Sequence, residues 1–454
     1  MGREGVETGR IRPPKHFHGH RLVVTAMEDI TALGQDKETT WKNLIAGKCG
    51  IREVDYKIDE KTGRSTGPRV AGEIFDWNPA IDFKGVITSK DVLNNSKSVV
   101  LSTAATGRVL QEGNLLDSNF KFKDTVDTTR AGFVIGTGGG GEMNVGELDK
   151  RTLEDKPTRP SDLKKIQTER VSSVPSMKFG SDDENKPRPV RVVATPLAAC
   201  AAGNAAICFA AQQIILDRCD FVVTGGSESI LEDEKSRVRY IPIVAFDGVR
   251  ALSQAKSADE VKGPFDAFSD GFNLGDGVGI LLLEDYDFAK KRGASMYAEL
   301  VGYGSSGDAF NDTFPDKNGI GQMLAMKEAM TMAKISKKER VFVCAHATGT
   351  LADRIEAWVI AKMFKDYNLV GVTSIKGATA HTIGGAGAIE AIASIQTLMY
   401  GIMPPTIKNY NPIPEISGLP VVRNEAKLMD VDVVVNSSFG FGGHNYVTVF
   451  RLVK

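Results

Sequence analysis

The segment from Val192 to Leu216 carries no charged residue. A run of that length either crosses a bilayer or lies wholly inside a large core. It contains Pro196, Gly203, Asn204, Gln212 and Gln213, and its apolar residues are more often Ala than Leu. Small residues with embedded amides suit a protein interior, where backbones approach closely and amides find partners. The chain is therefore expected to bury a helix on every side, which its 454 residues can do. No membrane span is expected.

Around this segment, short apolar runs alternate with helical patterns. Strands are expected at Leu22 to Val24, Gly132 to Ile135, Arg191 to Ala194, Asp220 to Thr224, Gly279 to Leu283 and Tyr297 to Gly302. Others follow at Val341 to Ala345, Gly371 to Thr373, Val433 to Val435 and Tyr446 to Phe450. Helices are expected at Thr39 to Ala46, Val99 to Leu110, onward from Cys200, Tyr286 to Arg292, Met323 to Ala333, Ile355 to Phe364 and Gly384 to Met399. The alternation predicts an α/β fold with parallel sheets covered on both faces. The halves also echo each other. Phe133-Val-Ile-Gly136 resembles Phe342-Val-Cys-Ala345, and Asp220-Phe-Val-Val-Thr224 resembles Asp432-Val-Val-Val-Asn436. Between each pair lies a Gly/Ala-rich helix, led by Cys200 in one half and His381 in the other. A duplication presenting two helix starts to one cleft fits that pattern.

Composition narrows the function. With 56 basic and 57 acidic residues the net charge is −1, so nothing favours nucleic acid or a membrane surface as a partner. The 5 cysteines form no CxxC pair, which points to a reducing, cytoplasmic setting without structural zinc. Residues 1–20 read as a flexible tail in which His16, His18 and His20 alternate. The tail has Glu4 and Glu7 among its basic residues, so it is only weakly like a mitochondrial presequence. The polar stretch 147–189 reads as a long surface excursion, or as an arm for a partner.

Four places carry candidate chemistry. Cys200 falls between a strand and an Ala-rich helix, where the helix dipole favours a thiolate; an inert core cysteine is the alternative. His346, in Ala-His-Ala-Thr-Gly-Thr350, directly follows a strand, with Thr348 and Thr350 offering hydroxyls. A capping histidine would look the same. His381 precedes a helix of very small residues, and Lys376 and Glu390 flank it either as a buried charge pair or as separate surface charges. Last, Asn436-Ser-Ser-Phe-Gly-Phe-Gly-Gly-His444 follows a strand, with Phe439, Gly440 and Phe441 on a loop able to act as a gate, or in a hairpin with core aromatics.

These residues together resemble the β-ketoacyl-acyl-carrier-protein synthases of the elongating, Cys-His-His type, within the thiolase-fold condensing enzymes. The resemblance runs from about Arg21 to the C-terminus. It takes in WKNLIAGKCGI from Trp41, the cysteine motif, Pro264-Phe-Asp266, Asp270-Gly-Phe272, HATGT, SIKGATAH and NSSFGFGGHN. It implies a thiolase-like fold of two duplicated halves, residues 21–289 with the nucleophile and 290–454 with both histidines, layered α-β-α-β-α. It implies that Cys200 carries an acyl thioester and that His346 and His381 bind the malonyl thioester oxygen during decarboxylation. Backbone N–H groups of Cys200 and Phe441 would form the oxyanion hole, with Phe441 as gate. Thr348, Thr350, Phe439 and Gly440 would line the substrate path, and Lys376 and Glu390 would support His381. No cofactor or metal is implied. The partners implied are acyl carrier protein and its malonyl and acyl thioesters, with a homodimer, or a heterodimer with a related subunit.

The chain departs from that pattern in places. Thr350-Leu-Ala-Asp353 is one residue short, Ala380 stands for a usual Gly, Ser269 for an Arg and Asp276 for a Glu. Met177 to Pro189 replaces the usual Asn-Met-Ala-Ala-Gly helix, and the basic docking helix is thinned to Lys90 and Lys97. A thiolase would need a second, late cysteine, and the last here is Cys344. An initiating synthase would have Asn in place of His381. A non-catalytic chain-length partner subunit would lack Cys200. Fatty-acid and type II polyketide synthesis share all these residues and stay unseparated.

Overall fold

Leu22–Thr31 form strand β1, buried along its whole length, and the sheet is built outwards from it. The computed structural model describes residues 20–54, 70–141, 145–180, 187–229 and 246–454. The main strands that follow are β2 (Ala131–Gly136), β3 (Val192–Ala194), β4 (Phe221–Glu228), β5 (Gly277–Asp285) and β6 (Ala298–Gly307). Then come β7 (Arg340–Cys344), β8 (Asn368–Thr373), β9 (Val433–Gly440) and β10 (His444–Arg451). They form a 10-stranded sheet in the order β8-β7-β9-β10-β6-β1-β5-β4-β2-β3.

That order repeats itself about the β1–β6 pair, where Leu22 meets Leu300 and Val24 meets Ala298. Outwards from β1 run β5 and β4 antiparallel, then β2 and β3 parallel. Outwards from β6 run β10 and β9 antiparallel, then β7 and β8 parallel. The sequence echoes fall on matched strands, β2 with β7 and β4 with β9. The expectation of parallel sheets is therefore corrected to a mixed sheet. Strands buried on both faces read as unbroken apolar runs whichever way they point, so periodicity does not reveal direction.

The helices that matter here are α1 (Lys97–Glu112), α2 (Arg170–Phe179), α3 (Ala202–Ile215), α4 (Ile320–Met332), α5 (Ala352–Met363) and α6 (Ala386–Tyr400). α3 and α6 pack on each other and touch strands from both halves, so they form a central layer. Gly203 explains the close approach: a Cβ there would lie 2.8 Å from the backbone N of Ala388. Ile207, Ile214, Ile392 and Ile395 fill the same core cluster. Each contributes about 1.5–3 kcal/mol of burial. α1 and α2 cover one outer face, and α4 and α5 the other.

The polar stretch 147–189 is not simply an excursion. Helices occupy Val145–Leu153 and Pro160–Ile166, and α2 packs against α1 and β2 with Val171 and Phe179 buried. Ser172 Oγ accepts from the N–H of Ile135, fixing α2 to β2. The first two helices do expose Leu153 and Leu163. α2 has few apolar anchors and an internal Pro175, which hid it from pattern reading. His16 and His18 lie outside the described residues, while His20 bonds to Asp285 at 2.7 Å. No helix among the described residues is long and apolar enough to cross a membrane.

Candidate active site

β3 delivers the chain to a turn, Ala199–Ala201, that runs into α3. Cys200 sits on that turn, 4% exposed, behind Ala199 at a left-handed φ of 45°. Residues held in that region persist only where the surrounding structure fixes them, and they cluster at functional sites. Gly440 packs against the turn: a Cβ there would lie 3.2 Å from the N of Cys200 and 2.7 Å from the O of Ala198. The backbone N–H groups of Phe441 and of Cys200 itself favour a charged sulfur. Burial pushes the Cys200 thiol up to about 12, with Lys376 pulling the other way. Desolvation at this depth opposes the thiolate that a helix start favours.

The two histidines arrive from the other half. His346 follows β7, and Glu356 on α5 accepts from the N–H groups of His346 at 2.8 Å and Ala347 at 2.7 Å. His381 is strapped by its own N–H to Asn273 O at 2.7 Å, and its carbonyl accepts from Gly275 N at 3.0 Å. The imidazoles meet edge to face, centroids 5.4 Å apart at 80°, and Phe272 packs on His381 at 5.2 Å. Burial, then Lys376, holds both well below the usual histidine range, so both rings are neutral. Neither nitrogen of His381, nor Nδ1 of His346, has a partner among the described residues. Cys200 Sγ and one nitrogen of each ring lie within 4.8 Å of one another. They open on a cleft of ≈ 500 Å³, also lined by Thr348, Thr350, Phe439 and Phe441. Neutral N–H donors beside a sulfur suit a thioester whose oxygen becomes negative.

Comparisons with known proteins agree with this geometry. Residues 20–289 match the family described as "Beta-ketoacyl synthase, N-terminal domain", and residues 297–409 match "Beta-ketoacyl synthase, C-terminal domain". The chain belongs to the β-ketoacyl synthase family. It is 34% identical to "3-oxoacyl-[acyl-carrier-protein] synthase, mitochondrial" of Arabidopsis thaliana, covering 96% of this chain and 94% of the relative. It is 32% identical to "3-oxoacyl-[acyl-carrier-protein] synthase 2" of Staphylococcus aureus, covering 95% and 98%. Among solved structures, "The ishigamide ketosynthase/chain length factor" superposes with a TM-score of 0.82 at 26% identity, over 96% of this chain and 100% of that one. A β-ketoacyl synthase from Burkholderia phymatum, at 24% identity and a TM-score of 0.81 over 96% and 100%, shares the fold.

The structure also locates the other candidate residues of this β-ketoacyl synthase. Lys376 and Glu390 form a buried ion pair rather than separate surface charges. Thr348 and Thr350 share a hydrogen bond of 3.1 Å at the cleft wall. Phe439 and Gly440 end β9, and Phe441–Gly443 turn tightly into β10, with Gly442 and Gly443 at positive φ. The loop that sequence suggested is therefore a strand end and hairpin. Phe439 lies edge-on to His346 at 6.1 Å, and Phe441 borders Phe246 at 6.1 Å. Lys97 turns inward to the fully buried Asp276 at 2.7 Å, so it is not a free docking charge.

Sequence reasoning missed the acids that hold these loops. Asp353 accepts from the N–H groups of Thr348 and Gly349, fixing the HATGT turn. Glu228, fully buried, accepts from Gly140 N at 2.9 Å and Gly384 N at 3.3 Å, linking the halves beneath the sulfur. A carboxylate ending the apolar β4 was the available signal, because a buried acid requires partners.

Proposed function

We propose that this chain is an acyltransferase that condenses an acyl group on Cys200 with a malonyl thioester on acyl carrier protein. The carrying observation is the convergence of one buried sulfur and two neutral imidazoles on a single cleft. In the first half-reaction Cys200 sulfur attacks the acyl thioester carbon, the bond to the carrier sulfur breaks, and that sulfur leaves with the proton. In the second, malonyl thioester loses CO2. The resulting enolate oxygen accepts N–H bonds from His346 and His381, and its carbon attacks the acyl-cysteine. The C–S bond to Cys200 breaks, its sulfur departs as a thiolate that takes a proton from water, and 3-oxoacyl carrier protein leaves. Backbone N–H groups of Cys200 and Phe441 stabilise the tetrahedral oxyanion, with Phe441 as gate. Thr348, Thr350, Phe439 and Gly440 border the arm that carries the thioester. Lys376 and Glu390 set the field around His381.

No cofactor enters this scheme. The Cys-His-His cluster also has ligand spacing for a soft metal ion. Such an ion would occupy the sulfur lone pair, so it would inhibit condensation. The presence of Cys200 favours an enzyme over a chain-length partner subunit. Edge strand β3 carries exposed Val193, with exposed Leu197 close behind, which supports a dimer through that edge. Free cysteines, all 5 unpaired, suit the reducing cytoplasm.

The test is intact-protein mass spectrometry after incubation with acyl carrier proteins of different chain length. A mass gain of one acyl group, lost in Cys200→Ala, supports the reading. Loading that survives the substitution, or none with any acyl group, rejects it.

A further inference from the structure

Most polar side chains lining the cleft are already committed inside the protein. Asp308 accepts from Asn445 Nδ2 at 2.7 Å and from Asp316 N at 3.1 Å. The second N–H of Asn445 goes to Gly443 O at 3.1 Å. Glu356 and Asp353 are occupied by the backbone N–H groups that they hold. Gln322 differs. It is the third residue of α4, only 2% exposed, and it lines the cleft with Cys200, His346 and His381. Among the described residues no donor reaches its Oε1. A buried amide oxygen left without a donor is costly, and Gln322 borders the cleft that a ligand enters.

We infer that Gln322 is a specificity-determining residue that accepts an amide N–H from the phosphopantetheine arm of the incoming thioester. This rests on the condensing reaction proposed above. The arm is a flexible chain with two secondary amides and few other donors. The cleft wall already offers hydroxyls at Thr348 and Thr350, so the arm's carbonyls have donors while its N–H groups need an acceptor. Gln322 supplies that acceptor, and the bond holds the arm in the cleft. Binding then depends on the arm's amide as well as on the acyl group.

The experiment compares three probes: malonyl pantetheine thioester and two analogues, each with one amide N–H replaced by an ester oxygen. With the wild-type enzyme, one analogue is expected to raise KM about tenfold with kcat little changed, the size of one lost hydrogen bond. Gln322→Met, of similar length and apolar, is expected to raise KM for the parent thioester by the same factor and to respond no further to that analogue. Equal treatment of all three thioesters by the wild type overturns the inference without any variant. So does a variant that loses equally on every thioester. If the folded wild type turns over none of them but still takes an acyl group from acyl carrier protein onto Cys200, this inference falls and the condensing reading stands; if it does neither, both fall.

Discussion

Lys376 and Glu390 form an ion pair inside the protein, their side chains 3% and 1% exposed. Burial raises Glu390 and Lys376 pulls it back, while the same ammonium lowers both histidines and the Cys200 thiol. The ammonium thus adds to burial in keeping the rings neutral, and it eases loss of the thiol proton. Lys376→Met leaves a carboxylate buried without its partner, at a cost of about 3–5 kcal/mol. Adding Glu390→Leu should recover most of that in urea titration. A double variant no more stable than the single one would show that the pair is not the source of the loss.

Separating the two half-reactions assigns the three central side chains. Cys200→Ala is expected to abolish acyl loading while malonyl decarboxylation continues, because both imidazoles remain. His346→Ala and His381→Ala are each expected to slow decarboxylation by about 10²–10³, the usual effect of removing one donor to a developing oxyanion. Release of labelled CO2 from malonyl carrier protein measures this. Decarboxylation at the wild-type rate in either histidine variant would remove that residue from the mechanism.

The residues that converge here were legible because each stands in a small-residue motif beside an apolar run. Cys200 and His381 each lead a Gly/Ala-rich helix, and those helices, α3 and α6, are the ones that pack together at the centre. Strand direction was not legible, because β4 and β5 are buried almost throughout on both faces. Nor was the clamping role of Glu228, whose partners Gly140 and Gly384 lie 88 and 156 positions away in the chain. How strongly burial opposes the Cys200 thiolate was hidden for a related reason. A helix start is visible in sequence, but burial on all sides is a property of the assembled halves.

Cys200 reactivity with iodoacetamide should therefore resemble that of a buried thiol. With the thiol pushed up to about 12, the thiolate fraction grows about tenfold per pH unit across the whole accessible range. The alkylation rate in the free enzyme should rise steadily from pH 7 to pH 10 without a plateau. Peptide mapping against Cys200→Ala isolates the site from the other cysteines. A plateau near pH 7 would mean that the thiolate is already formed at rest.

Glu356 gives a pH signature of its own. Burial pushes its carboxyl up to about 7, although it accepts from His346 N, Ala347 N and Ser437 Oγ. The folded state thus binds a proton that the unfolded chain, with a carboxyl near 4.5, has released. That proton's contribution is complete below pH 4.5 and is lost as pH rises through 7. The change amounts to about 3 kcal/mol, at 1.36 kcal/mol per pH unit of difference. Glu356→Gln cannot ionise, so its stability relative to wild type should rise by about that amount between pH 4.5 and pH 8. Other titrating groups cancel in the difference between the two denaturation series. Parallel pH profiles would mean that Glu356 ionises as easily folded as unfolded, and that the N–H groups of His346 and Ala347 are strong enough to hold the charge.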